Sequence, residues 1–249
     1  MIPDKTYIYG RHALVEALTN SPKSIKKIFL APQFADAELM ALIHKTGVQI
    51  SPTAGGKVPT GANSEEVRQG IIGLLAPENL VKSYKEFIDQ LDISSSTSLI
   101  LLDEIQDPHN VGAIIRSAAA FGASGILIPE HNQAPITGTV IKVSAGMAFR
   151  LPIVSIGNVN STLRDLKDRG FWIYGLEMSQ EHTTSKERFD APAIFVMGNE
   201  AEGIRMKTRE LCDIMLTIPM NPKCESLNVA ASTAVTLYAW SLQHPEALN

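Results

Sequence analysis

Three short stretches hold most of the side chains able to do chemistry. The first, "DEIQDPHNVGAIIRS" (103–117), puts Asn110, Gly112 and Arg116 just after an apolar run that ends in two acids. The second, "FVMGNEAEGIR" (195–205), brackets Asn199 and Glu200 between Gly198 and Gly203. The third, "IPMNPKCESLNVAAS" (218–232), carries Ser226 and Asn228 ahead of a long apolar helix-forming run. Amides, a hydroxyl, a carboxylate and a guanidinium can hold a polar substrate and move a proton. Each stretch also has a purely structural reading. In the first, Asn110 caps a core helix, Gly112 permits close approach of a backbone or ligand, and Arg116 reaches solvent. In the second, the loop is a strand-to-helix turn with exposed acids. Its G-x-x-x-x-G spacing lacks the Lys-Ser/Thr of a phosphate loop, Ile204-Arg205 standing there instead, and its carboxylates repel a triphosphate. In the third, Ser226 or Asn228 is the cap of the last helix.

The elements needed to position these stretches are legible as short continuous apolar runs. "SLILLD" (98–103), "GILIP" (125–129), "LPIVSI" (151–156), "FWIYGLE" (171–177), "AIFVMG" (193–198) and "IMLTIP" (214–219) suit strands buried on both faces. Helical spacing separates them over 110–121, 139–148, 158–169, 205–212 and 227–243. This alternation predicts an α/β domain with a mostly parallel sheet, whose ligands bind in loops at the carboxyl ends of strands. All three stretches fall in such loops. A smaller α/β unit precedes it: helix over 10–18, strand 28–31, helix 35–44, strands 48–50 and 71–76. Between them, "PENLVKSYKEFIDQLDISSSTS" (77–98) reads as a linker with one helix-sized piece, giving units 1–76, 77–97 and 98–249.

Composition sets limits. Of 249 residues, 45% are apolar and 19% charged, with net charge −4, so the chain can bury a core. No apolar run approaches the roughly 18 residues of a membrane span, and "MIPDKTYIYGRHALVEAL" lacks the order of a secretory signal. Two cysteines, Cys212 and Cys224, make neither a disulfide framework nor a metal site. A cytoplasmic protein without membrane or metal is expected. The charge is uneven: residues 1–76 hold eight Lys/Arg against six Asp/Glu, with Lys23, Lys26 and Lys27 close together.

In order and spacing the three stretches resemble the SpoU/TrmH-type family of RNA 2′-O-methyltransferases. Asn110-x-Gly112 with Arg116 resembles its first motif, Gly198-Asn199-Glu200-x-x-Gly203 its second, and Ile218-Pro219-Met220 with Ser226-Leu227-Asn228-Val229-Ala230 its third. "YGRHALVEAL" (9–18) resembles the substrate-binding domain of some members, although Arg68-Gln69-Gly70 stands where the family has His-Gln-Gly. The resemblance implies a homodimer, a C-terminal trefoil knot and S-adenosylmethionine as methyl donor. It implies a cofactor pocket of Met197, Gly198, Asn199, Ile218, Met220 and Leu227, and a catalytic group of Arg116, Asn110, Glu200, Ser226 and Asn228. Length and layout are closest to bacterial members that methylate a guanosine ribose in the peptidyl-transferase region of 23S ribosomal RNA. The resemblance assigns the role of base to Arg116, but a free guanidinium stays protonated far above neutral pH and is normally only a donor. Either it acts with a substrate phosphate, or it orients that phosphate while Glu200 or a water takes the proton. Arg11, Lys23, Lys26, Lys27 and Arg68 are candidate RNA phosphate contacts. Three other functions remain open: a transfer-RNA ribose methyltransferase, a silent RNA-binding or resistance protein of the same fold, and a flavodoxin-like nucleotide enzyme, the last disfavoured by the acidic loop.

Overall fold

The structure is a computed structural model that describes residues 3, 5–53, 59–62, 70–177 and 182–248. The chain opens with β1 (Tyr7–Tyr9), α1 (Arg11–Asn20), β2 (Ile25–Leu30), α2 (Ala37–Thr46), β3 (Gln49–Pro52) and β4 (Ile71–Leu75). These strands form a four-stranded sheet in the order β1-β4-β2-β3, parallel only between β2 and β3. Asp36 caps α2 by accepting from the Leu39 amide, and Gly47 ends it in the left-handed conformation, the pairing of cap and terminator that stops a helix cleanly.

The stretch 77–97 does more than connect. It supplies β5 (Val81–Ser83) and α3 (Tyr84–Ile88), and β5 pairs with a strand of the second sheet. That sheet continues through β6 (Ser98–Asp103), α4 (Pro108–Ala120), β7 (Gly125–Pro129), α5 (Gly138–Val143), β8 (Ile153–Ile156), α6 (Val159–Asp168) and β9 (Trp172–Leu176). It closes with β10 (His182–Thr183), β11 (Ala193–Gly198), α7 (Met206–Arg209), β12 (Ile214–Thr217) and α8 (Val229–Ser241). The eight strands run in the order β10-β12-β9-β11-β6-β7-β8-β5, every neighbouring pair parallel.

The apolar runs divide between the two faces as a period of two requires. In β6, Leu99 and Leu101 pack with α6 residues Leu163 and Leu166, while Ile100 and Leu102 pack with α4 residues Ile114 and Ile115. The second of these cores runs without a break into the small sheet, taking in Ile8, Leu14 and Ile28. Glu16 of α1 receives two hydrogen bonds from Arg150 across the same junction, at 2.7 and 3.1 Å. Among the described residues no helix is long and apolar enough to cross a membrane.

Candidate functional site

The carboxyl end of β6 leads into the first stretch. Asp103, its last residue, is fully buried, and Glu104 follows in the left-handed region at φ 67°. Asp107 rather than Asn110 caps α4: its carboxylate accepts from the His109 amide at 2.8 Å, with Pro108 in the first turn. An Asp-Pro start suits a helix better than a cap three residues later, because proline lacks the amide that the first turn leaves unpaired. Asn110 is thus free to bond elsewhere. Gly112 serves another helix and not a ligand, since a Cβ there would lie 2.7 Å from the Val143 side chain of α5.

Six residues along a helix turn a side chain by about 120° and advance it about 9 Å. Arg116 therefore leaves α4 in a different direction from Asn110. It is solvent-exposed, on the stripe of His109, Ala113 and Ala120, and does not line the cleft described below.

β11 carries the second stretch. Asn199 and Gly203 pair with each other through two backbone hydrogen bonds of 3.0 and 2.9 Å, closing a tight loop. Both glycines are needed: a Cβ on Gly198 would lie 2.4 Å from the Gly203 backbone, and Gly203 has φ +72°. The Asn199 amide is turned into the loop itself. Its oxygen accepts from the Ala201 and Glu202 amides, and its nitrogen donates to the Glu104 carbonyl at 2.8 Å. Arg205 completes the attachment, lying 2.5 Å from buried Asp103 and 3.0 Å from Glu104. The sequence reading passed over this clamp; two acids closing a buried strand, with an arginine ending the facing loop, were its signal.

The third stretch leaves β12 and returns at α8, where Asn228 is the cap. Its side-chain oxygen accepts from the Ala230 and Ala231 amides at 2.9 and 3.3 Å, so its nitrogen must point away from the helix. That nitrogen donates to the Asn110 oxygen at 3.0 Å, and the Asn110 nitrogen donates to Glu200 at 2.9 Å. The cap thus fixes the direction of one amide, which fixes the next, and the relay ends on a carboxylate whose second oxygen remains an acceptor.

The second and third of these loops border a cleft of about 770 Å³, the size of a small-molecule site. Met197, Gly198, Asn199, Ile218, Met220 and Leu227 all line it, as do Glu200, Ser226 and Asn228. Its apolar wall suits a planar base, and the relay stands at its rim, so the residues present fit an adenosine-bearing cofactor. Glu177 and Arg209, absent from the sequence reading, also line it and pair at 2.7 Å. An acid directly after a strand was their one sequence signal. Among the described residues no group of His, Cys, Asp or Glu is arranged to hold a metal.

The proposed RNA contacts of the small sheet fare unequally. Both sides of the Arg11 guanidinium are engaged, by Asp36 at 2.7 Å and by Glu38. Lys26 is exposed at a bulge and Lys23 is exposed in the turn before β2, while Lys27 lies 5.4 Å over the Phe29 ring. Arg68, with Gln69, lies outside the described residues.

Known proteins resemble this chain in sequence and fold. The model of the SpoU rRNA Methylase family matches residues 97–238, and that of an RNA 2′-O ribose methyltransferase substrate-binding domain matches residues 7–80. The 23S rRNA (guanosine-2′-O-)-methyltransferase RlmB of Neisseria meningitidis serogroup B is 35% identical over 233 residues, 92% of each chain. RlmB of Escherichia coli strain K12 is 33% identical over 93% of this chain and 96% of its own. In structure, the SpoU methyltransferase AviRb of Streptomyces viridochromogenes, in complex with the cofactor AdoMet, superposes with a TM-score of 0.81 at 19% identity, covering 98% and 92% of the two chains. The chain therefore belongs to the SpoU rRNA methylase family, whose knotted α/β fold it shares.

Proposed function

We propose that the protein methylates the ribose 2′-hydroxyl of a guanosine in 23S ribosomal RNA, with S-adenosylmethionine as donor. The observation that carries this reading is the Asn228–Asn110–Glu200 relay at the rim of an adenosine-sized cleft. The RlmB relatives, similar over nearly the whole chain, supply the substrate. The cofactor supplies a methyl group already activated on a sulfonium. Met197, Ile218, Met220 and Leu227 cover its base, and Gly198 admits the base to backbone hydrogen-bonding groups.

The chain must then fix the ribose in line and take a proton from a weakly acidic hydroxyl. Glu200, held by Asn110, orients that hydroxyl with its unused oxygen, and Ser226 adds a second hydrogen-bonding group on the same rim. Arg116, standing apart on α4, binds the adjoining phosphate bidentately. In that setting it serves either as the base or as the group that orients the ribose for Glu200.

Residues 1–76 dock the RNA, 98–249 perform the transfer, and 77–97 join them while adding an edge strand to the catalytic sheet. Lys23, Lys26 and Lys27 supply phosphate contacts without reading sequence. The protein acts as a cytoplasmic homodimer. Support for a dimer is the solvent-facing apolar stripe formed by Val235 and Tyr238 of α8 with Leu242 just past its end, 39%, 54% and 65% exposed.

The test is transfer of labelled methyl from S-adenosylmethionine to unmodified 23S and transfer RNA, with Arg116→Ala in parallel. Label on 23S ribose, reduced about 100-fold or more in the variant, is expected. Label confined to transfer RNA would correct the substrate, and none on either would defeat the reading.

A further inference from the structure

The cleft has a second polar pole, one strand away from Glu200. Glu200 follows β11 and Glu177 follows the neighbouring β9, and both line the cleft. The Glu177 backbone is held from both directions: its amide donates to the Leu216 carbonyl at 3.0 Å, and the Thr217 hydroxyl donates to the Glu177 carbonyl at 3.0 Å. Leu176 is paired with Leu216, which sets Glu177 beside Thr217, one residue from Ile218 on the apolar wall. The Arg209 guanidinium fixes one carboxylate oxygen at 2.7 Å, and the side chain remains 38% exposed toward the cleft it lines.

We infer that Glu177, oriented by Arg209, binds the vicinal hydroxyls of the cofactor's ribose. The inference rests on the reading of the cleft as an S-adenosylmethionine site. If the base lies against Ile218, the group attached to it is the ribose, and that group falls beside Glu177. A carboxylate is an acceptor only, so it can take hydrogen bonds from two adjacent hydroxyls, and an amide cannot offer the same pair. Arg209, at the end of α7, occupies one oxygen, which leaves the other able to accept from a group in the cleft that both residues line.

Competition against labelled S-adenosylmethionine tests the assignment, using 5′-methylthioadenosine and its 2′,3′-dideoxy form on the wild type and Glu177→Gln. The wild type should prefer the diol by about tenfold or more, and the variant by less than about threefold. Glu177→Asp, which keeps the charge, should retain part of the preference, and it serves if the glutamine variant does not fold. Equal preference in wild type and variants overturns the inference. So does failure of 5′-methylthioadenosine to compete, because the recognised diol lies on the adenosine half. A variant weakened toward S-adenosylmethionine but not toward 5′-methylthioadenosine would assign Glu177 to the amino-acid arm instead. A wild type that does not bind S-adenosylmethionine defeats the cofactor reading itself, a result distinct from all of these.

Discussion

The amide of Asn228 does two jobs with its two ends, and substitution can separate them. Its oxygen caps α8 and its nitrogen holds Asn110. Asn228→Asp keeps the cap, since aspartate is as good an N-cap, but replaces the donor with an acceptor facing the Asn110 oxygen. The variant should unfold within about 1 kcal/mol of wild type while methyl transfer falls about 100-fold, as denaturation and labelled transfer would report. A second residue-scale prediction concerns the cysteines. Burial pushes the Cys212 thiol up to about 12, whereas Cys224 is exposed. At pH 8 a thiol reagent should modify one group per folded chain, replaced by none in Cys224→Ser, and two after denaturation. Residue types in the site were legible because amides, an acid and an arginine at strand ends have few structural uses in combination. Which way each side chain points was not. The divergence of Asn110 and Arg116 depends on where α4 starts and what it packs against, and Asp107 rather than Asn110 set that start.

Elements were easier to read than their joints. The six buried runs became β6 to β9, β11 and β12 with ends shifted by a residue or two, because a strand covered on both faces is apolar throughout. The two-residue β10 and the short β5 carry no such signal; β5 reads as linker because its Lys82 and Ser83 are exposed at the sheet edge. The tie between the β11 loop and β6 was equally hidden, since Arg205 and Asp103 are 102 residues apart. Arg205→Met should leave the buried Asp103 carboxylate without its guanidinium and cost about 2 to 3 kcal/mol, read as a lower melting temperature. Because the same loop carries Glu200, transfer should fall further than the loss of folded protein explains. A variant that melts as wild type does would remove Arg205 from any structural role.

At the scale of the molecule, the two sheets are joined by a continuous apolar core and by Glu16 with Arg150. The Arg150 hydrogen bond holds the Glu16 carboxyl below its usual range, against the opposing effect of its burial. A depressed carboxyl stabilises the folded state above its unfolded pKa of about 4.3 and loses that contribution as pH falls through the folded value. Glu16→Gln should therefore be less stable than wild type near pH 7, and the gap should close below about pH 4, as urea unfolding at several pH values would measure. Neither partner was visible from sequence, because an α1 glutamate and an arginine 134 positions away carry no mark of each other. The relay itself spans 118 residues of sequence between Asn110 and Asn228, and this has a consequence for biosynthesis. A nascent chain that has left the ribosome through β11 already holds Arg116 and six adjoining strands, but it lacks β12, which joins β10 to β9, and it lacks Asn228. With the relay in its proposed role, activity would be acquired only when the segment from 218 through α8 has emerged and folded back, and the enzyme would stay silent for most of its own translation.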